Sequence, residues 1–337
     1  MGDKIKRIGV LTSGGDAPGM NAAVRAVVRS AVGMGIECIG IRRGWTGLIS
    51  SDFVKLDGSS VSHIINKGGT MLYTARSLDF MERAGREKAI GTCKLLGLDG
   101  IVAIGGDGTF RGALALSRQV AEDGQKLDVV GIPATIDNDI GCSHYTIGFD
   151  TACNTAVQCI DKLRDTMQSH ERCSVVEVMG RHAGYLALYV GIAVGATAVL
   201  IPERPVDFEN DVVENIRRAR LAGSTHYMVV VAEGAGNAYE IADQIKEKMS
   251  IDPRVTVLGH IQRGGSPTAR DRELASRMGY QAVQVLAQRK GNRIVAKQEG
   301  SIVDLDMEEA LAMTKSLEMD RYDVLEALTN NDGFRNR

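Results

Sequence analysis

Val129-Val130-Gly131-Ile132-Pro133-Ala134-Thr135-Ile136-Asp137-Asn138-Asp139 is the stretch from which the rest of this chain can be read. The apolar run Val129 to Ile132 passes directly into a turn carrying a hydroxyl, Thr135, and two carboxylates, Asp137 and Asp139. A short apolar run bounded by a turn reads as a buried strand, and a polar cluster at such a strand's end is where open α/β sheets hold ligands. Asp137 and Asp139 stand two apart, so on an extended segment both side chains point the same way. They could share a cation or divide the roles of base and metal ligand. The arrangement suits phosphoryl transfer.

Similar apolar runs recur on either side: Ile8 to Leu11, Cys38 to Ile41, Ile101 to Ile104, Val175 to Met179, Ala198 to Ile201 and Met228 to Ala232. They alternate with helical patterns, the signature of parallel sheet with helices on both faces. The strands fall into two sets, before about residue 148 and after about residue 174, separated by a helical pattern from Asp150 to Met167. Two α/β domains are expected. Four of the runs end in glycine turns that carry charge or hydroxyls: Ser13 to Asp16, Gly105 to Thr109, Gly180 to Gly184 and Glu233 to Gly236. One such turn is an ordinary strand-to-helix connection; four together assign function to the strand C-termini.

A chain of 337 residues, 44% hydrophobic and 24% charged, has the length and composition of a globular protein with a large core. Its 39 glycines exceed the roughly 7% of average usage, consistent with tight turns beside backbone-bound ligands. With a net charge of -2 and no long basic run, the footprint of a nucleic-acid binder is missing. The six cysteines form no CxxC pair and no metal spacing with the histidines, which predicts a reduced, cytoplasmic protein. No signal-peptide core follows the N-terminus, and no apolar run approaches the roughly 20 residues of a membrane span, so neither secretion nor a membrane partner is expected.

Gly14 and Gly15 let backbone N–H groups approach phosphate, and a helix starting near Met20 adds its positive end. Gly105 to Thr109 offers a second such loop. Because Mg²⁺ takes one or two carboxylates plus substrate phosphates, Asp107 with Asp139 is a sufficient protein contribution. Neither GxxxxGK[ST] nor GxGxxG is present, which disfavours a P-loop ATPase and a dinucleotide dehydrogenase. Arg76, Arg172, Arg181, Arg254 and Arg263 lie beside small or polar residues, and their planar guanidinium groups match phosphate oxygens two at a time. Glu233 ends a strand where a carboxylate can bind sugar hydroxyls or simply start the next turn. His260, after Val257-Leu258-Gly259, is either a ligand group or a core histidine.

These motifs together resemble the bacterial ATP-dependent 6-phosphofructokinase family. The resemblance runs in family order from Gly9-Val10-Leu11-Thr12-Ser13-Gly14-Gly15-Asp16 through Gly105 to Thr109, Pro133 to Asp139, Ser169 to Arg172, Met179-Gly180-Arg181 and Glu233. It ends in Gly259-His260-Ile261-Gln262-Arg263-Gly264-Gly265-Ser266-Pro267, and so covers roughly the first 280 residues. It implies two Rossmann-like three-layer domains with mainly parallel sheets, an active site in the cleft between them, and a homotetramer whose active sites are shared between subunits. The ATP-binding domain would comprise 1–148 plus about 262–312, and the fructose 6-phosphate domain 149–261 plus about 313–337. By the same resemblance Gly14, Arg76, Gly106, Asp107, Gly108 and Thr109 hold Mg-ATP, Asp107 and Asp139 serve the metal, and Asp137 takes the proton from the sugar 1-hydroxyl. Thr135 and Arg181 steady the moving phosphoryl group, with Gly14 and Arg76 in support. Met179, Gly180, Glu233, His260 and Arg263 bind the sugar phosphate, and Arg172 and Arg254 reach in from a neighbouring subunit.

Pyrophosphate-dependent relatives carry Asp where this chain has Gly108 and Lys where it has Ala134, so ATP is the expected donor. NAD and lipid kinases share a GGDGT-like loop but not the Pro133 to Asp139 or His260 to Pro267 segments. A non-catalytic sugar-phosphate binder would not need Asp107, Asp137 and Arg181. The family also has an effector site for ADP and phosphoenolpyruvate, of which Arg25, Arg29 and Arg164 remain. Gly58, Thr197, Ala222, Ser224 and Thr225 stand where its other charged groups are expected.

Overall fold

The computed structural model describes residues 4–329, and every apolar run read from the sequence lies in or at a strand. The chain begins with β1 (Arg7–Thr12), α1 (Met20–Gly33), β2 (Glu37–Ile41), α2 (Gly44–Ser50) and β3 (Phe53–Leu56). Next come α3 (Arg83–Leu96), β4 (Gly100–Gly105), α4 (Asp107–Glu122) and β5 (Asp128–Pro133). After α5 (Phe149–His170) follow β6 (Cys173–Val178), α6 (Tyr185–Ala193), β7 (Ala198–Leu200), α7 (Asn215–Leu221), β8 (Tyr227–Ala232), α8 (Ala238–Met249) and β9 (Arg254–Val257). The last elements are α9 (Ala269–Ala287), β10 (Arg293–Gln298), β11 (Ser301–Asp306), α10 (Met307–Ala312) and α11 (Met319–Thr329). Among the described residues no helix is long and apolar enough to cross a membrane.

The chain divides into two compact units. Within the described residues the first comprises 4–136, 140–151 and 263–315, and the second 137–139, 152–262 and 316–329. Residues 330–337, the end of the expected second-domain tail, lie outside the described residues.

The first unit is built on a seven-stranded sheet in the order β11-β10-β5-β4-β1-β2-β3. Its inner strands pair in parallel, while β3 and β11 pair antiparallel at the two edges. β1 lies between β2 and β4, so consecutive βα units run outward to opposite sides of the β1/β4 boundary. That boundary is the topological switch point at which such sheets open a crevice beyond their strand C-termini. β4 and β5 are buried along their whole length, as central parallel strands are. The close fit of α9 on α1 depends on Gly279, where a Cβ would stand 2.6 Å from Ala26 Cβ and 2.9 Å from the Ala23 carbonyl oxygen.

The second unit has a four-stranded, all-parallel sheet in the order β7-β8-β6-β9. β6 is central, and β8 is buried throughout. β9 is an edge strand of half-exposed residues, Arg254-Val255-Thr256-Val257, too polar and short to stand out by pattern.

Asp271, in the first turn of α9, is fully buried. Its Oδ1 accepts from Gly148 N–H at 2.9 Å and its Oδ2 from Thr151 N–H at 2.8 Å, tying α9 to the start of α5. Burial pushes this carboxyl up to about 6, against the hydrogen bonds that favour its charged form. A raised acid binds more protons folded than unfolded between about pH 4 and pH 6, so its stability contribution is present at low pH and lost as pH rises through 6. The margin of wild type over Asp271→Asn is therefore expected to shrink from pH 4 to pH 7, by up to about 3 kcal/mol at roughly 1.4 kcal/mol per unit. Urea unfolding of both proteins across that range measures it; a margin that grows with pH contradicts the assignment.

Candidate active site

Two constellations stand at strand C-termini, one in each unit. In the first unit the loop after β1 and the turn after β4 are interlocked. Thr109 Oγ1 donates to the Ser13 carbonyl at 3.2 Å, and a Cβ on Gly105 would meet that same oxygen at 2.4 Å. Thr74 Oγ1 donates to the Gly14 carbonyl at 2.7 Å, bringing the segment that carries exposed Arg76 onto the same loop. Gly14 has φ 89°, a backbone state glycine adopts freely.

Gly106 caps α4, and Asp107, Gly108 and Thr109 form its first turn. A Cβ on Gly106 or Gly108 would meet nothing within 4 Å, so open space lies over the helix N-terminus. Unpaired N–H groups and the positive end of the helix dipole make such a place suit a phosphate. Asp107 is about half exposed and pairs with Arg111 at 2.7 Å, an exposed i,i+4 contact worth only a few tenths of a kcal/mol and readily exchanged for another cation. No group of three or more His, Cys, Asp or Glu side chains able to hold a metal occurs among the described residues. The donor set fits Mg²⁺, which draws most of its ligands from phosphate and water.

In the second unit the turn after β6 has two successive residues at positive φ. Gly180 has φ 142° and Arg181 φ 54°; the latter is a left-handed state costing a residue with a Cβ about 1–2 kcal/mol. Glu233, just past β8, offsets that cost by accepting from Gly180 N–H at 3.2 Å and Arg181 N–H at 2.7 Å through one oxygen, Oε1. The turn leaves the Arg181 side chain half exposed, with its Nε 3.9 Å from Asp137 Oδ2. Asp137 itself is 3% exposed.

One local expectation is overturned. Asp137 and Asp139 do not lie on an extended segment: Ile136 and Asp137 form a turn and Asn138 has φ 54°. The alternation rule therefore does not hold, and Asp137 is buried while Asp139 is exposed.

His260 is exposed, in the short turn Gly259–Arg263, and so is no core histidine. Arg263 belongs to the first unit, where its Nη1 donates to the Asp16 carbonyl at 3.1 Å against Gly15. Arg172 and Arg254 stand apart from Met179, Gly180 and Glu233. They precede β6 and open β9, at the N-terminal ends of strands whose C-terminal ends carry the turn. Six residues of β6 at about 3.3 Å each put the two groups on the order of 20 Å apart. Burial pushes the thiols of Cys38, Cys93 and Cys173 up to about 12. Two side chains that sequence reading passed over, Gln262 and Glu203, hold the ends of the Gly180–Arg181 turn, accepting from Met179 N–H at 2.9 Å and Gly184 N–H at 2.7 Å.

A family model described as Phosphofructokinase matches residues 7–286. The chain is 52% identical over 324 residues to ATP-dependent 6-phosphofructokinase 1 of Clostridium perfringens, covering 96% of this chain and 99% of that one. It is 50% identical to ATP-dependent 6-phosphofructokinase of Clostridium botulinum, covering 96% and 100%. Among solved structures it is similar to phosphofructokinase from Saccharomyces cerevisiae, with a TM-score of 0.91 and 32% identity over 98% of this chain; it spans 51% of that longer chain. A pyrophosphate-dependent phosphofructokinase from Marinobacter aquaeolei, 22% identical over 96% of this chain and 92% of its own, shares the fold with a TM-score of 0.84.

The positions tied by resemblance to an effector are largely occupied or neutral. Arg29 Nη2 donates to the Gly58 carbonyl at 3.5 Å, and Arg164 to the carbonyl of Val194, while Arg25 on α1 is half-buried. Thr197, Ala222 and Ser224 line a pocket of about 410 Å³ whose charged lining, among the described residues, is Glu214 and Arg218, paired at 3.3 Å. Such a pocket has no net charge to offer a phosphate. Losing two or three charge-assisted bonds of roughly 1.5 to 3 kcal/mol each costs about 10² to 10⁴ in affinity. ADP and phosphoenolpyruvate at millimolar concentration are therefore expected to leave initial rates nearly unchanged. Strong phosphoenolpyruvate inhibition that disappears in an Arg25→Ala, Arg164→Ala variant would show a working site.

Proposed function

The chain belongs to the phosphofructokinase family, and from that membership we propose that it transfers the γ-phosphoryl group of ATP to the 1-hydroxyl of fructose 6-phosphate. The products are fructose 1,6-bisphosphate and ADP, in the committed step of glycolysis. The observation that carries the chemistry is the pairing of buried Asp137 with Arg181, 3.9 Å apart. A base stands beside the guanidinium that takes the charge of the moving group.

As the sugar O1 bonds to the γ-phosphorus, its proton passes to the Asp137 carboxylate. The bond from that phosphorus to the bridging oxygen breaks, and ADP leaves with the electron pair. Arg181 and Thr135 would hold the equatorial oxygens, in a reaction where positioning and charge supply nearly all of the catalysis. Gly14, Arg76, Gly106, Gly108 and Thr109 would hold the nucleotide. Asp107, with Asp139 in support, would hold Mg²⁺, which neutralises charge on the phosphates when bound. Met179, Gly180, Glu233, His260 and Arg263 would bind the sugar phosphate. Arg172 and Arg254 would serve a neighbouring copy in a cytoplasmic homotetramer.

Asp137→Ala is expected to lower kcat by about 10² to 10⁴ or more while sugar-phosphate binding survives, since a general base acts on the chemical step. Calorimetric binding beside steady-state rates tests this; near-normal kcat refutes the role of Asp137.

The assay that tests the whole reading is fructose 6-phosphate phosphorylation with ATP and with pyrophosphate, side by side. ATP is expected to be used and pyrophosphate ignored. Gly108→Asp fits without a clash, because nothing lies within 4 Å of its Cβ, and a carboxylate in the first turn of α4 favours the helix. The variant should therefore fold at least as well as wild type yet lose ATP turnover, since a like charge against phosphate costs on the order of several kcal/mol. Efficient pyrophosphate use by wild type overturns the donor assignment.

A further inference from the structure

The turn from Met179 to Gly184 sits outside both sheet and helix, and much of its shape is imposed by side chains from other loops. Its middle is held by Glu233, as described. Its two ends are held by groups for which the proposed reaction has no use. Met179 N–H donates to Gln262 Oε1 at 2.9 Å, and Gln262 is fully buried. Gly184 N–H donates to Glu203 Oε1 at 2.7 Å, and a Cβ on Gly184 would lie 2.5 Å from the other oxygen of that carboxylate. The loop carrying Glu203 is itself pinned: Arg204 pairs with Asp211, lies 3.7 Å from Glu326 and covers the Tyr322 ring at 4.5 Å. The acceptors thus come from the segments after β7, β8 and β9, and they converge on one strained turn.

We propose that Gln262 and Glu203 are positioning residues for Arg181, fixing the two ends of its left-handed turn so that the guanidinium is presented to Asp137. Non-glycine residues stay at positive φ only where surrounding contacts over-determine the backbone. When one end is released, Arg181 relaxes toward an ordinary backbone state and its side chain leaves the line to Asp137. Neither residue touches a reactant; each acts through the backbone of the turn. The inference rests on the reading of Arg181 as the clamp on the transferring group.

Its test is a double-mutant cycle on the full-length enzyme, with ATP and fructose 6-phosphate as substrates. Gln262→Leu and Glu203→Ala, each made alone, are expected to lower kcat by about 10- to 100-fold, the effect of a small misplacement of a catalytic group. The KM for ATP should not move, since the residues proposed to hold the nucleotide, Gly14, Arg76, Gly106, Gly108 and Thr109, all lie in the first unit. Glu203→Gln, which keeps an acceptor for Gly184 N–H, should recover most of the rate. In an Arg181→Ala background the same substitutions should change kcat by less than about two-fold, because groups acting through one side chain are not additive. Equal losses in both backgrounds, or wild-type kcat in both single variants, overturn the proposal while leaving the phosphofructokinase reading in place. Wild type that fails to phosphorylate fructose 6-phosphate overturns both. Should Gln262→Leu fail to fold, the Glu203→Ala and Glu203→Gln pair decides the question alone.

Discussion

Strands that run the same way cannot be joined by a tight turn, and most of this molecule follows from that constraint. Each parallel neighbour needs a crossover, so a strand followed by a parallel partner must leave its sheet through a loop into a helix, and these loops gather at the strand C-termini. In the first sheet the chain steps outward from β1 to β2 on one side and from β4 to β5 on the other. The loops after β1 and β4 consequently diverge from a shared boundary and leave space above it. The bond from Thr109 to the Ser13 carbonyl ties their bases together, while Gly106 and Gly108 keep the space open. In the second sheet β6 has β8 on one side and β9 on the other, so the loops after those two strands flank the turn that carries Arg181, and the loop after β7 reaches its far end through Glu203.

A loop at such a place must present its N–H groups without a sheet or helix to pair them, and carboxylates supply the missing acceptors. Asp271 takes the N–H groups of Gly148 and Thr151, Glu233 those of Gly180 and Arg181, and Glu203 that of Gly184. Bonds of this kind are charge-assisted and contribute roughly 1.5–3 kcal/mol each, comparable to the strain of one left-handed residue. Acidic residues near the ligand therefore divide into two kinds. Asp107 and Asp139 are exposed to solvent, whereas Glu233 and Glu203 hold backbone.

How much of this could be read from the sequence follows the same division. Parallel strands buried on both faces announce themselves as apolar runs, and β1, β2, β4, β5, β6, β7 and β8 were all visible that way. Three of the four edge strands, β3, β9 and β11, are half-exposed or mixed, and β10 ends in polar residues, so no run marks them. Glycine turns marked the loops correctly, because the need for a positive φ or a close backbone approach leaves glycine as the ready choice at Gly14 and Gly180. Spacing failed at Asp137 and Asp139, since a left-handed Asn138 breaks the alternation that an extended chain would obey. Glu203 was invisible: its partner, the Gly184 N–H, lies 19 positions away and has no side chain. Gln262 lay inside a recognised motif, yet nothing in its neighbours distinguishes a buried amide from a ligand-facing one.

The separation of charges along the second sheet gives the proposed assembly a physical reason. Arg172 and Arg254 sit at one end of β6 and β9, close enough for both to depress the carboxyl of Asp252, after its nearer partner Lys246. Gly180 and Glu233 sit at the other end, a strand's length away, so one ligand cannot be gripped by both groups of the same copy. Arg172, just before central β6, and Arg254, which opens the edge strand β9 and pairs with Asp252 at 3.2 Å, are both exposed. In a tetramer with shared sites they would meet the sugar phosphate of a neighbour. Substrate affinity would then depend on assembly, while the Asp137–Arg181 pair, drawn entirely from one chain, would remain intact in an isolated copy.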